Sequence, residues 1–163
     1  MPRRRKKKTV RIIYPSAGPL PLRLAARYAD FLLVFSDASA KRHGGLAAVL
    51  FDTAESEAVI STQTVPIVGS NELELQAALF ALTQAEQHFP GRPLALFSDN
   101  QDAVIRLTRT QEKGSTQDPE LAQMLSEQGI ALLLDHATIC WIKGHSSCRG
   151  NMLADLHAAE AAS

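Results

Sequence analysis

Four acidic residues are the part of this sequence best suited to chemistry. Asp37 and Asp99 each follow an apolar run, in FLLVFSDAS and LALFSDNQ. Glu74 lies within SNELELQAALFAL, and Asp155 lies near the C-terminus. Carboxylate oxygens are hard ligands that suit Mg²⁺ or Mn²⁺, and four carboxylates at one place would repel one another without cations. If the fold brings them together, the pattern favours chemistry assisted by divalent metal ions.

Asp37 is predicted to lie at the end of a central strand. Residues 31–35 form an unbroken apolar run that Ser36-Asp37 ends, which suits a strand buried on both faces. We expect Gly44-Gly45 to turn the chain into the next strand. The second and third strands are predicted at 46–52 and 57–65. These three strands would form an antiparallel meander.

Glu74 is predicted to lie near the start of a helix that Ser70 or Asn71 caps and that runs to about His88. A strand is predicted at 93–98, a helix at 101–110 and a loop at 113–119. A second helix at 120–134, a strand at 136–142 and a last helix at 151–162 follow. This order predicts an α/β fold with one mixed five-stranded sheet. Three antiparallel strands precede parallel strands reached through helical crossovers, and helices cover the sheet.

Length and composition indicate one globular domain. The chain has 163 residues, 45% hydrophobic and 21% charged, and no apolar run reaches the roughly 20 residues that cross a bilayer. The start MPRRRKKK lacks the apolar stretch of a secretory signal, so we expect a cytoplasmic protein, and a monomer. Cys140 and Cys148 are predicted to be free thiols.

The formal net charge of zero hides an asymmetry between two parts of the chain. Residues 1–30 carry nine Lys or Arg residues and one acid, whereas residues 31–163 carry eight basic and sixteen acidic residues, a charge of −8. We therefore predict a basic, partly disordered tail and linker over 1–30 and a folded domain over 31–163. The tail is either a solubilising or localisation arm or a tether for nucleic acid.

Together, these segments and the C-terminal WIKGHSSCRGNMLAD resemble the ribonuclease H type 1 family. The resemblance covers about residues 31–160. It implies the ribonuclease H fold and an endonuclease that cuts the RNA strand of RNA–DNA hybrids with two Mg²⁺ or Mn²⁺ ions. The implied reaction is in-line attack by water, leaving 5′-phosphate and 3′-hydroxyl ends.

The same resemblance implies a role for each matched residue. Asp37, Glu74, Asp99 and Asp155 would be the metal ligands, with Glu72 as the fallback for Glu74. The acid three residues after Asn71 is the ligand in the family's helix signature, which favours Glu74.

The implied auxiliary residues divide into one catalytic residue and four that contact substrate. His145, in the Trp-x-Lys-Gly-His loop, would assist proton transfer or product release. The implied substrate-binding residues are Ser39, Asn71, Gln101 and Asn151.

The sequence departs from the family pattern at two places. The usual Asp-Gly-Ser is Asp37-Ala38-Ser39 here, and AKRH at 40–43 replaces the short glycine-rich connection that follows. This weakens the prediction that the backbone closely approaches the hybrid, although Lys41 or Arg42 can supply phosphate contacts. The long basic handle of some members is missing, because only the short region 111–119 is available for it.

Three alternatives compete with this prediction. The chain could be a non-catalytic nucleic-acid-binding module of the same fold, although such a module has no reason to retain four repelling carboxylates. It could be a nuclease of this fold that acts on another nucleic acid, although such relatives usually lack the His loop. A zinc site could be formed by His136, Cys140, His145, Cys148 and His157. It is disfavoured because the spacing of these residues does not match that of structural zinc knuckles.

Overall fold

The computed structural model of the chain describes residues 18–144 and 148–163. The basic run at 3–8 and His145 lie outside the described residues. Within the described ranges, no helix is both long enough and apolar enough to cross a membrane.

A single five-stranded sheet forms the centre of the protein. Its strands are β1 Leu32–Ala40, β2 Gly44–Phe51, β3 Val59–Val65, β4 Leu94–Ser98 and β5 Thr138–Trp141. They lie in the order β3-β2-β1-β4-β5, with β1 antiparallel to β2, β2 antiparallel to β3, and β1, β4 and β5 mutually parallel. The predicted mixed sheet, with a meander followed by parallel strands, is therefore confirmed.

Helices occupy both faces of this sheet. Their bounds are α1 Leu22–Ala25, α2 Ser70–His88, α3 Gln101–Lys113, α4 Pro119–Gln128, α5 Ala131–His136 and α6 Arg149–Ala162, with a 3-10 turn at Ser115–Gln117. One face of the sheet packs against α2 and the helices that follow it, through Leu32 and Val34 of β1 and Leu96 of β4. The other face packs against α6 through Phe35 and Phe97. Burial on both faces explains why β1 and β4 are continuous apolar runs.

The first hairpin differs from the prediction at both of its strands. β1 continues through Asp37 to Ala40, because the antiparallel pairing with β2 extends from Leu33 opposite Phe51 to Ala40 opposite Gly44. The two glycines predicted as a turn are the first residues of β2. A Cβ at Gly45 would come within 2.2 Å of the Ala158 carbonyl oxygen, so glycine is needed here for close contact with α6 rather than for a turn.

The helical half also differs in its bounds. The single helix predicted over 120–134 is two helices, because Gly129 adopts a left-handed conformation with φ of 68° and ends α4. α5 extends to His136, so β5 begins at Thr138 rather than at 136. α6 begins at Arg149, two residues earlier than predicted. Asp155 is therefore in the second turn of that helix and not at its start.

Residues 18–30 pack against the sheet rather than extending away from it. Leu20 and Tyr28 are buried in the same cluster as Phe35 and Phe97. The Tyr28 hydroxyl lies 3.2 Å from the sulfur of Cys140. Within the part of the chain that the structure describes, neither cysteine takes part in a disulfide.

Candidate metal and catalytic site

Three carboxylates from three elements meet at one edge of the sheet. Asp37 lies in β1, Asp99 directly follows β4, and Glu74 is in the second turn of α2. One oxygen of each lies within 4.8 Å of an oxygen of the other two. The meeting follows from the topology, because β1 and β4 are parallel neighbours and their carboxyl ends lie at the same edge.

Asp37 is the most enclosed of the three, with only 5% of its surface exposed. Its Oδ1 accepts a hydrogen bond from the Ala38 backbone N–H at 2.9 Å. Burial raises the pKa of Asp37 to about 7, and the neighbouring charge of Asp99 contributes to this rise, against the lowering effect of hydrogen bonding. The deprotonated form of this carboxyl is therefore disfavoured without a cation.

Glu74 experiences the same two effects more strongly. Burial is the largest cause that raises its pKa, to about 10, followed by the charge of Asp37 and the hydrogen bond between Glu74 and Asp37. Its Oε2 atom is buried and has no hydrogen-bond partner among the described residues. A buried, unsatisfied carboxylate oxygen is costly, and a bound cation would satisfy it. The donor set and its geometry thus fit a divalent metal ion.

Glu72 points away from this cluster. Two residues along a helix correspond to a rotation of about 200°, so the two glutamates of α2 face nearly opposite directions. Glu72 Oε1 lies 3.1 Å from the Arg106 guanidinium. The structure therefore brings Glu74, and not Glu72, next to Asp37.

Asp155 approaches the cluster from the α6 side. Its charge contributes to the raised pKa of Asp37, as the last of the causes, while it is not one of the three carboxylates within 4.8 Å of one another. Asn151, one turn earlier on α6, is 2% exposed, and its Nδ2 has no hydrogen-bond partner among the described residues. The fourth acid thus lies near Asp37 but at the margin of the group.

Two of the residues predicted to bind substrate lie at the starts of helices on this edge. Asn71 and Gln101 are exposed in the first turns of α2 and α3. The Asn71 Oδ1 accepts a hydrogen bond of 3.0 Å from the side-chain amide of Asn100. Ser39 is partly exposed, two residues beyond Asp37 on β1. These polar groups therefore border the carboxylates.

Asn100 has two roles that the sequence analysis missed. Its Oδ1 caps α3 by accepting from the Ala103 backbone N–H at 2.8 Å, while its amide holds Asn71. A signal was available, since Asn directly before a helical stretch is a typical N-cap. The link to Asn71 depends on how α2 and α3 pack, which the sequence did not reveal.

Asp99 is contacted by the last residue of β5 and by the segment that follows that strand. The Trp141 indole N–H donates to the Asp99 backbone carbonyl at 3.2 Å, although 46% of the Trp141 surface is exposed. A Cβ at Gly144 would lie 3.3 Å from Asp99 Oδ2, so the backbone of this segment passes close to the carboxylate. Nothing in the local sequence indicated the contact made by Trp141.

The predictions that remain concern His145 and a site built from cysteine and histidine ligands. His145 lies outside the described residues, so its position stays a prediction. Among the described residues, the carboxylates of Asp37, Glu74 and Asp99 form the only group of metal-ligand type, and no cysteine or histidine belongs to it.

Comparisons with known proteins agree with this fold. The RNase H family profile matches residues 30–163. The RNase H1 of Halobacterium salinarum NRC-1 aligns with a TM-score of 0.57 and 21% identity over 80% of this chain and 96% of that one. An N-terminal RNase H domain from Mycobacterium tuberculosis, solved as a fusion with maltose binding protein, aligns with a TM-score of 0.59 and 22% identity over 80% of this chain and 92% of that one.

A third structure, LC11-RNase H1 in complex with an RNA/DNA hybrid, gives a TM-score of 0.58 and 13% identity over 81% of this chain and 99% of that chain. At these identities the structural likeness concerns the fold. No curated protein has a significant sequence match.

Proposed function

The chain belongs to the RNase H family, and from this premise we propose that it is a metal-dependent endoribonuclease that cleaves the RNA strand of RNA–DNA hybrids. The observation that carries the proposal is the convergence of Asp37, Glu74 and Asp99 within 4.8 Å. The pKa of Asp37 and that of Glu74 are both raised by burial and by neighbouring carboxylates. Such a cluster destabilises the protein unless cations occupy it, and this cost supports a functional role.

Asp37, Glu74, Asp99 and Asp155 are the residues that would hold two Mg²⁺ or Mn²⁺ ions. When bound, the ions would supply activation of water and stabilisation of charge at the scissile phosphate, with 5′-phosphate and 3′-hydroxyl products. Asp37 would be the central ligand of the site, because the charges of Asp99 and Asp155 both act on it and Glu74 is hydrogen-bonded to it. Glu74 would fix one side of the site through its buried and otherwise unsatisfied Oε2.

A hybrid substrate is supported by the polar groups that border the carboxylates. Ser39, Asn71 and Gln101 offer hydroxyl and amide groups of the kind that read sugar hydroxyls and base edges in a shallow groove. The hybrid bound to LC11-RNase H1, a protein of the same fold, is consistent with this assignment. Asn151 is the fourth residue proposed to contact the substrate, and it is buried.

Three further points remain predictions from the sequence. His145 would assist proton transfer or product release near the scissile phosphate. The protein would act in the cytoplasm and as a monomer.

One assay tests the proposal directly. End-labelled RNA–DNA hybrid, double-stranded RNA and double-stranded DNA are each incubated with the full chain in Mg²⁺, Mn²⁺ or EDTA. Cleavage of the RNA strand of the hybrid alone, abolished by EDTA, is the expected result. Cleavage of a different duplex would identify a nuclease with another substrate, and binding without cleavage in either metal would identify a non-catalytic module.

A further inference from the structure

The turn between β1 and β2 carries three adjacent basic residues, Lys41, Arg42 and His43, and we call it the basic turn. All three are exposed. They belong to a domain whose formal charge over residues 31–163 is −8. A concentration of positive charge on an acidic body requires an explanation.

The cations of the basic turn differ from Arg92, Arg106 and Arg149, which have partners within the domain. Arg106 is bound by Asp118, Arg92 by Asp52, and Arg149 lies over the ring of Phe51 at 5.2 Å. Among the described residues, Lys41 and Arg42 have no acidic partner at ion-pair distance. Their charges are therefore available to an external anion.

The basic turn is also held rigidly. The Lys41 backbone N–H donates to the His43 carbonyl at 3.0 Å, and the His43 backbone N–H donates to the carbonyl of Ala162, the last residue of α6, at 2.9 Å. Close contact between Gly45 and Ala158 fixes the base of the hairpin against the same helix. A fixed backbone reduces the entropy lost when the side chains bind an anion.

The position of the turn relates it to the carboxylate cluster. β1 runs directly from Asp37 through Ser39 to the basic turn. At about 3.3 Å per residue, Lys41 lies about 13 Å beyond Asp37 along the strand. This distance corresponds to a few nucleotides of a bound duplex, whose charges recur about every 3.4 Å along each strand. The basic turn is therefore within the reach of a duplex whose scissile bond lies at the carboxylates.

From these observations we infer that Lys41 and Arg42 form a phosphate clamp that binds the sugar–phosphate backbone of the nucleic acid at a distance from the cleavage site. The inference rests on the proposed function and deepens it. Contacts of this kind position the duplex without reading its sequence. The clamp places positive charge where the substrate backbone would lie, on a domain that is acidic overall.

The test compares two double variants of the full chain with equal charge changes. Lys41→Ala/Arg42→Ala removes the clamp. Arg109→Ala/Lys113→Ala removes two exposed cations from the last turns of α3, whose first turn borders the carboxylates. Along α3, Arg109 and Lys113 lie about 12 and about 18 Å from Gln101. The variant therefore makes the same charge change on a different element of the domain, and it is the matched control.

Binding of fluorescent hybrids of several sequences is measured by anisotropy between 50 and 200 mM salt, in an Asp99→Asn background that prevents cleavage. Loss of the clamp should weaken binding of all sequences alike and reduce the slope of log K against log salt by about one for each lost contact. Over this salt range the parent should consequently lose about tenfold more affinity than the clamp variant. In the cleavage-competent chain, KM should rise while kcat and the melting temperature stay constant.

Two outcomes would overturn the inference, and they are distinguishable. If the wild-type chain cleaves hybrid but the clamp variant matches the α3 control in affinity and salt slope, the basic turn is only a solvated hairpin. If the wild-type chain neither binds nor cleaves hybrid, the proposed function is wrong and the clamp is wrong with it.

Discussion

The two glutamates at the start of α2 belong to two acidic clusters with opposite electrostatics. Glu72 joins Asp118 and Glu120 around Arg106, whose guanidinium lies 3.1, 2.7 and 3.8 Å from them. Glu74 joins Asp37 and Asp99. In the first cluster a side chain of the protein supplies the positive charge, whereas in the second Glu74 and Asp37 share a hydrogen bond between two acids.

The pKa shifts in the two clusters run in opposite directions. The Arg106 hydrogen bond lowers the pKa of Asp118, and the acids in turn raise the pKa of Arg106. Burial and neighbouring carboxylates raise the pKa of Asp37 and of Glu74. The contrast separates a cluster that stabilises the fold from one that weakens it unless cations are added.

The largest effect should come from neutralising a carboxylate of the second cluster. Asp37→Asn or Asp99→Asn should lower the rate of hybrid cleavage by about a thousandfold or more, because a metal-binding charge is lost. The metal-free Asp37→Asn protein should melt at a higher temperature than the wild type, since a buried repelling charge is removed. Cleavage kinetics and thermal unfolding in EDTA measure both effects.

If these acids only stabilise the fold, the variants should keep their cleavage activity and melt at a lower temperature than the wild type. Asp135→Asn, at an exposed position in α5, serves as the control for loss of one acidic charge. Undiminished cleavage by the Asp37 or Asp99 variant would remove that residue from the site.

The two glutamates of α2 provide the sharpest test of the comparison. Glu74→Gln should remove nearly all cleavage activity, about a hundredfold or more, since it changes the group nearest to Asp37. Glu72→Gln should leave cleavage almost unchanged and lower the unfolding free energy by less than about 1 kcal/mol, because its ion pair is partly exposed. Loss of activity in Glu72→Gln alone would show that the assignment within α2 is inverted.

Removing the cation of the first cluster should affect stability rather than chemistry. Arg106→Met leaves Asp118 without its guanidinium and should lower the unfolding free energy by about 2 kcal/mol, or about 4–8 °C in melting temperature. The pKa of Asp118 lies below its ordinary value of 3.8, so this stabilisation is present at neutral pH and is lost as pH falls below about 4. Melting curves of both proteins from pH 3 to pH 7 should therefore converge at the acidic end.

The smallest effect concerns pH and metal together. Because the folded protein holds protons on Asp37 and Glu74 that the unfolded chain releases, the metal-free protein should lose stability as pH rises above about 4. The loss should continue to about pH 7 for Asp37 and to about pH 10 for Glu74. Protons compete with the metal, so the increase in melting temperature caused by Mg²⁺ should be larger at pH 8 than at pH 6. We expect a difference of about 1 kcal/mol, or about 2–4 °C. An equal increase at both pH values would show that these carboxyls do not bind Mg²⁺.

The sequence predicted the order and type of most elements because strong local signals agreed. Buried strands β1 and β4 are visible as apolar runs, and the spacing of Leu75, Leu79 and Leu82 identified α2. The errors occurred at residues whose type suggests a local structure, such as a turn or a strand end, but which are needed for contacts between elements. Gly45 suggests a turn but instead admits α6, and Asp37 suggests a strand end but lies within a strand paired to Ala47.

The sequence by itself determined which acids are available and the fold that can collect them, since the strand order follows from hydrophobic pattern and connection rules. Only the tertiary structure decided which charged groups each acid contacts. Whether an acid on α2 meets a guanidinium or another carboxylate depends on which elements pack against each side of that helix. The side-chain amide that Asn100 donates to Asn71 and the indole N–H that Trp141 donates to Asp99 likewise join residues 29 and 42 positions apart. Such contacts arise from packing between elements, which local propensity does not encode.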